Sequence, residues 1–84
     1  MALTVLYFAR LRESLGLAQE QIAASDLTNV GQLLDLLRTR GPDWQAALSD
    51  AKTVRVAVNQ DLAGNATRLQ DGDEVALFPP VTGG

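Results

Sequence analysis

Val30, Leu33, Leu34 and Leu37 recur at i, i+3, i+4 and i+7, the spacing that lines one face of a helix with apolar side chains. Thr28 stands where it can cap this helix, and Gly41-Pro42 ends it. The chain has 84 residues, too few to divide into two cores that each offset the entropy of ordering, so this face must be covered within one small domain. The cover has to come from the flanking segments, and these read as strands.

Ala2 to Phe8 alternates Leu3, Val5 and Tyr7 with Thr4, Leu6 and Phe8, a strand that is apolar on both faces. Ala9 to Leu15 places Leu11 and Leu15 at i, i+4 and is followed by Gly16, which suits the left-handed stop of a short helix. Gln19 to Ala24 is a weaker strand returning beside the first. After the main helix, Asp43 to Leu48 makes one more helical turn with Trp44 as a lid on the core. Thr53 to Val58 points Val54, Val56 and Val58 inward and Arg55 and Ala57 outward. Leu62 to Leu69 is irregular, and Asp71-Gly72 is a tight turn before Glu74 to Phe78, with Val75 and Leu77 on one face and Ala76 and Phe78 on the other. This order predicts an α+β domain in which one main helix lies across one mixed sheet, with Val5, Val56, Val75 and Leu77 packed on Leu33, Leu34 and Leu37.

Hydrophobic residues make up 46% and charged residues 20%, proportions of a chain that packs a core. There is no Cys and no His, which removes disulfides, thiolate nucleophiles, imidazole bases and the commonest metal ligands. The net charge of −3 and the scattering of the cations argue against nucleic acid. Met1 to Phe8 is apolar but meets Arg10 too soon for a signal peptide or a membrane span, so a cytoplasmic protein with no membrane partner is expected. Asp71, Asp73 and Glu74 invite a metal or acid/base reading, but Asp-Gly before a strand is a hairpin signal and no further ligands follow, so no metal is expected. Asn59-Gln60 reads as a turn.

The ending Phe78-Pro79-Pro80-Val81-Thr82-Gly83-Gly84 differs from a frayed terminus or an expression scar in the order that precedes its glycines. With Tyr7-Phe8-Ala9-Arg10-Leu11-Arg12-Glu13, with Val58-Asn59-Gln60 and Leu62, and with the run from Leu69 through Asp71-Gly72-Asp73-Glu74-Val75-Ala76 to Gly84, it resembles the MoaD family. These are the small sulphur-carrier subunits of molybdopterin synthase. The likeness runs nearly end to end, and its departures lie between Leu17 and Lys52. It implies the ubiquitin-like β-grasp fold, with a carrier domain over residues 1–80 and a flexible tail over 81–84. It also implies that the chain is no enzyme alone, the catalytic residues being expected on the large synthase subunit. In the implied cycle a ubiquitin-activating-like adenylyltransferase uses ATP to adenylate Gly84, a sulphur donor converts the adduct to a thiocarboxylate, and the large subunit passes that sulphur to a pterin precursor to build the molybdopterin dithiolene. No bound cofactor is implied. A carrier for another product, such as the thiamine thiazole or a thionucleoside, and a ubiquitin-like protein modifier also end in Gly-Gly and stay open as alternatives.

The chemistry of that cycle suits these residues. A carboxylate is a poor electrophile until it becomes a mixed anhydride, and attack by sulphur then gives a thioacid that is ionised at neutral pH. A chain without Cys can in this way deliver sulphur. Gly83 and Gly84 lack Cβ and suit a narrow channel, Pro79 and Pro80 stiffen the point of departure, and Val81 to Gly84 reach about 13 Å when extended. Val81, Thr82, Gly83 and Gly84 are thus expected to enter a partner's active site. If the first and last strands are neighbours, Leu6 and Phe8 lie beside Ala76 and Phe78 on the face away from the helix. That face, with Leu62, Pro79 and Pro80, and with Arg12 and Arg55 at the rim, is the expected partner interface, and Phe8 and Phe78 should be substantially exposed.

Overall fold

The computed structural model describes residues 2–23, 26–49 and 54–80. The elements run β1 (Ala2–Tyr7), α1 (Ala9–Leu15), β2 (Gln19–Ala23), α2 (Val30–Arg38), α3 (Pro42–Ala47), β3 (Arg55–Val58), β4 (Asp61–Ala63) and β5 (Glu74–Phe78). They form a five-stranded sheet in the order β2-β1-β5-β3-β4, in which β1 and β5 are parallel and every other pair is antiparallel. This is the mixed α+β sheet with a helix across it that the patterning predicts. The parallel pair needs a long crossover, and α2 lies within it.

The two faces sort by the period of two. Leu3, Val5 and Tyr7 of β1, Val56 of β3, and Val75 and Leu77 of β5 are buried against Val30, Leu33, Leu34 and Leu37 of α2, with Leu11, Ile22, Leu48 and Leu69 closing the edges. Gly16 ends α1 at φ 73°, a left-handed conformation that glycine adopts without Cβ strain, and its N–H reaches the Arg12 carbonyl.

Several expectations need correction. Asn29, not Thr28, caps α2: its Oδ1 accepts from the Gln32 N–H at 2.9 Å, while the Gln32 side chain reaches back to accept from the Thr28 N–H at 2.7 Å. The helix closes at Arg38, and Gly41-Pro42 opens α3 instead, with proline in the first turn where no N–H is needed. Leu62 and Ala63, read as irregular, belong with Asp61 to β4. Asn59 and Gln60 do make a turn, at φ 50° and 74°, and it joins β3 to β4 with Val58 opposite Asp61. Asp71-Gly72 also turns, with Gly72 at φ 85°, but it is no hairpin: β5 pairs with β1 and β3, and the turn anchors β5 to both. Asp71 Oδ1 accepts from the Ala2 N–H at 2.7 Å, Asp73 Oδ1 from the Asn59 amide at 2.9 Å, and the Glu74 N–H donates to Asn59 Oδ1 at 3.0 Å. Ala57 is buried though it points outward, because Leu62 and Ala76 flank its single methyl on both sides. Ala24 and Thr53, expected as strand ends, lie outside the described residues.

One charged cluster ties the helices to the β2 edge. Arg40 donates to both Glu20 oxygens at 2.7 and 3.0 Å, the Tyr7 hydroxyl donates to Glu20 Oε2 at 2.6 Å, and the Arg40 guanidinium lies 4.7 Å from the centre of the Trp44 ring. Trp44 meets Tyr7 edge-on at 5.7 Å, so it does cover the core margin. Burial raises the Tyr7 phenol far above its ordinary value, and the Glu20 carboxylate adds to this. At Glu20 burial pushes the carboxyl up, but the hydrogen bonds from Arg40 and Tyr7 outweigh it and hold the group below the usual carboxylate range. A depressed carboxyl contributes stability that is complete above its unfolded value and is lost as pH falls through its folded one. Glu20→Gln is therefore expected to cost about 1–2 kcal/mol at pH 7, or roughly 4–8 °C of melting temperature per kcal/mol. The gap to wild type should narrow as pH falls below about 4.5, the ordinary carboxyl value, in thermal scans followed by circular dichroism. A gap that stays constant over that range would mean that shape, not charge, makes the contribution.

Candidate functional site

Because β1 and β5 are parallel, both finish at the same end of the sheet, and the segments after Tyr7 and after Phe78 leave the fold there together. The Phe8 N–H donates to the Leu77 carbonyl at 3.1 Å, which extends the pairing one residue beyond β1. Phe8 is still extended at φ −119°, ψ 153°, and Ala9 at φ 52° then breaks the chain away into α1. A left-handed alanine costs of order 1 kcal/mol, strain that the paired strand behind it and the helix ahead of it sustain.

On the face away from α2 the register aligns one row across the whole sheet: Gln19, Leu6, Ala76, Ala57, Leu62. Toward the chain exit the next position pairs Phe78 with Arg55. Toward the opposite end the row is polar, with Thr4 between Gln21 and Glu74. The apolar half of the face is thus the half from which the last residues depart.

Leu62 is 75% exposed and Phe8 46%, the strongest apolar exposures on this face. Leu6, Phe78, Pro79 and Pro80 are half-buried. Phe78 corrects the expectation of a largely exposed ring: it sits inside the sheet between β1 and β3, where neighbours on both sides shield it. Arg12, on α1, and Arg55, across from Phe78 on β3, are exposed. Ala57 joins the floor of the patch; its alternate position in the Thr53 to Val58 segment was the signal for that. Leu36, 41% exposed, lies on the far side of α2 and was not singled out; its place between the buried Leu34 and Leu37 marks it as the helix's outward apolar residue. Val81, Thr82, Gly83 and Gly84 lie outside the described residues.

Among the described residues, the apolar half of this face is lined by Leu6, Phe78, Ala76, Ala57 and Leu62, with Arg55 beside Phe78. Among the described residues no group of three or more Asp or Glu side chains is gathered to hold a metal ion, and Asp71 and Asp73 spend their oxygens on backbone and amide donors. No helix among them is long and apolar enough to cross a membrane. Such a surface can dock a partner.

The comparisons agree with this arrangement. The ThiS family model matches residues 5–84. The chain is 45% identical to the molybdopterin synthase sulfur carrier subunit of Escherichia coli, across 95% of this chain and 96% of that one. It is 34% identical to small archaeal modifier protein 3 of Haloferax volcanii, with both chains fully covered. Among solved structures, SAMP1 of Haloferax volcanii superposes with a TM-score of 0.82 at 28% identity, all of each chain being covered. A complex of subunits 1 and 2 of the molybdopterin-converting factor of Helicobacter pylori gives 0.70 at 27%, again over all of both chains. Its ubiquitin-like fold, its match to the family model over nearly its full length and its identity to curated carriers establish that the chain belongs to the ThiS family, among the MoaD-type molybdopterin synthase sulfur carrier subunits.

Proposed function

We propose that this chain carries sulphur on the carboxylate of Gly84 and that the apolar end of its sheet docks it on the large subunit of molybdopterin synthase. The observation that carries the reading is the convergence of Phe8, Leu6, Phe78 and the Pro79-Pro80 step at one end of the sheet, where Val81-Thr82-Gly83-Gly84 begins. A docked body can then feed a tail about 13 Å long into a site that the body itself does not enter. The likeness to a structure of subunits 1 and 2 in complex supports the large subunit as partner.

In this reading an adenylyltransferase uses ATP to join the Gly84 carboxylate to AMP, releasing pyrophosphate. A sulphur nucleophile displaces AMP, and the resulting thiocarboxylate attacks the pterin precursor held by the large subunit. The chain's own residues bind, orient and present; they move no proton. Intact mass after incubation with activating enzyme, ATP and a sulphur source tests this. The expected gain equals one oxygen exchanged for sulphur, localised to Gly84, and an unchanged mass with competent enzyme would overturn the reading.

Phe78→Glu is expected to weaken the large-subunit complex by about 2 kcal/mol or more, roughly thirtyfold in Kd, by replacing an apolar anchor of the docked patch with a carboxylate that has to be desolvated on docking even where Arg55 pairs with it across the strand. The fold should persist, because the ring lies on the face away from the core. Titration calorimetry decides it, and unchanged affinity would remove the outer face from the interface.

A second reading, a ubiquitin-like modifier joined to lysines, is favoured by the identity to small archaeal modifier protein 3. In cell extract with ATP a modifier accumulates as a ladder of reductant-resistant conjugates, whereas a carrier does not.

A further inference from the structure

Asp71-Gly72 lies at the end of the sheet opposite the chain exit, and the docking reading leaves it without a role. Both residues are exposed, yet both are held by one residue. The Ala2 N–H donates to Asp71 Oδ1 at 2.7 Å, and the Gly72 N–H donates to the Ala2 carbonyl at 2.8 Å. The ladder goes on with the Thr4 N–H donating to the Asp73 carbonyl at 3.0 Å. Within the turn, the Asp73 N–H donates to the Gln70 carbonyl at 3.1 Å and the Gln70 N–H to Asp73 Oδ2 at 2.8 Å.

An aspartate followed by glycine is open to rearrangement, because glycine has no Cβ to keep its nitrogen from the aspartyl side chain and moves easily between backbone conformations. The Gly72 nitrogen attacks Cγ of the protonated Asp71 carboxyl, a C–N bond forms, the C–O bond breaks, and the hydroxyl leaves with the amide proton as water. The product is a cyclic imide lighter than the chain by one water. Water then adds to either imide carbonyl and breaks its bond to nitrogen. Addition at the side-chain carbonyl restores aspartate, whereas addition at the main-chain carbonyl leaves an isoaspartate that routes the backbone through Cβ. Nothing is oxidised or reduced. The step needs a Gly72 nitrogen free to turn toward Cγ and a carboxyl free to receive it, and Ala2 holds both.

We propose that Asp71-Gly72 is a site of spontaneous backbone isomerisation and that the backbone of Ala2 is the clamp that keeps it closed. Ala2 opens β1, and the ends of strands part more readily than their interiors, so local parting of this clamp sets the rate rather than global unfolding. Isoaspartate at position 71 lengthens the main chain ahead of β5 and carries Asp73 out of its bond to Thr4. The inference does not depend on the carrier reading, since β5 is paired with β1 whatever the chain docks on.

The test ages the full chain near neutral pH and quantifies isoaspartate at position 71 in peptide digests. Wild type is compared with itself unfolded in guanidinium chloride and with Ala2→Pro and Ala2→Gly, Met1 being kept in place so that proline brings no N–H. Circular dichroism reports whether each variant is folded. Folded wild type is expected to isomerise about tenfold or more slowly than the unfolded chain, and Ala2→Pro about fivefold faster than wild type, through loss of the donor to Asp71. Ala2→Gly keeps the donor but loosens the strand, and should fall between the two. Equal rates in folded and unfolded wild type would overturn the proposal, as would folded variants that both age at the wild-type rate. The Gly72 amide supplies a reading that needs no variant to fold. Its exchange with solvent deuterium should be slow, and exchange as fast as in the unfolded chain would show that no clamp holds it.

Discussion

Deletion of Gly84 is expected to leave melting temperature and large-subunit affinity close to wild type while sulphur transfer falls by about a hundredfold or more. The described residues that build the core end at Leu77 and those that build the patch end at Pro80, and a glycine has no side chain to add to either. Its loss withdraws the reactive carbon by about 3.3 Å, and a misplacement near 1 Å can cost a hundredfold in rate. Adding one residue after Gly84 should be worse, because the carboxylate becomes an amide that cannot be adenylated. Gly83→Val should fall between the two, since a β-branched side chain restricts the backbone and widens the tail. Thiocarboxylate formation and dithiolene product, followed with purified activating enzyme, ATP, a sulphur source and large subunit, separate these cases. Wild-type turnover from the Gly84 deletion would leave a ubiquitin-like docking module with no role for its tail.

The parts of the fold that were legible are those in which one period dominates. Val30, Leu33, Leu34 and Leu37 have no other way to be buried together than as a helix, and the alternation of Leu3, Val5 and Tyr7 sorts one strand onto two faces. The parts that were missed depend on distant partners. Asp61–Ala63 is three residues long and carries Leu62 outward, so it has no periodic signal of its own, and it is a strand because β3 lies ready to pair with it. Thr28 and Asn29 are both good caps by type, and which one caps depends on where the Arg68 backbone crosses to bridge Asn29. Asp71-Gly72 has the composition of a hairpin turn, but its oxygens and amides go to Ala2 and, through Asp73, to Asn59, contacts that no local pattern encodes.

The candidate site was legible for a related reason. Leu6, Phe8 and Phe78 are apolar at positions where a one-sided sheet would carry polar residues, and the parallel register of β1 and β5 brings them together. What the pattern could not supply was degree. Leu62, on the edge strand β4, and Phe8, one residue past the end of β1, remain exposed, whereas Phe78, within β5 and with a strand on each side, is half-buried. An alternating pattern assigns a residue to a face; the number of neighbouring strands decides how much of it water reaches.

That distinction between face and depth separates two adjacent leucines of α2. Leu33 is completely buried, whereas Leu34 is 4% exposed and borders a cavity of about 480 Å³ lined also by Arg38, Val54, Val56 and Ala63. Deleting a buried leucine side chain costs its transfer free energy plus a term that grows with the void left behind, about 24 cal/mol per Å³. At Leu33 the surroundings are closed, and the new void adds to the cost in full. At Leu34 the removed atoms already face an opening, so part of the packing term is absent before mutation. Leu33→Ala should therefore lose about 4–5 kcal/mol and Leu34→Ala about 2–3, against a total for a domain of this length of roughly 4–13 kcal/mol. Urea titrations at pH 7 measure both, and melting temperature should fall by about 4–8 °C for each kcal/mol. Neither residue reaches the outer face, so large-subunit affinity per folded molecule should match wild type in both variants. Equal losses at the two positions would mean that the cavity side is packed as tightly as the sheet side. A loss below about 1 kcal/mol at Leu33 would place the wrong face of α2 against the sheet.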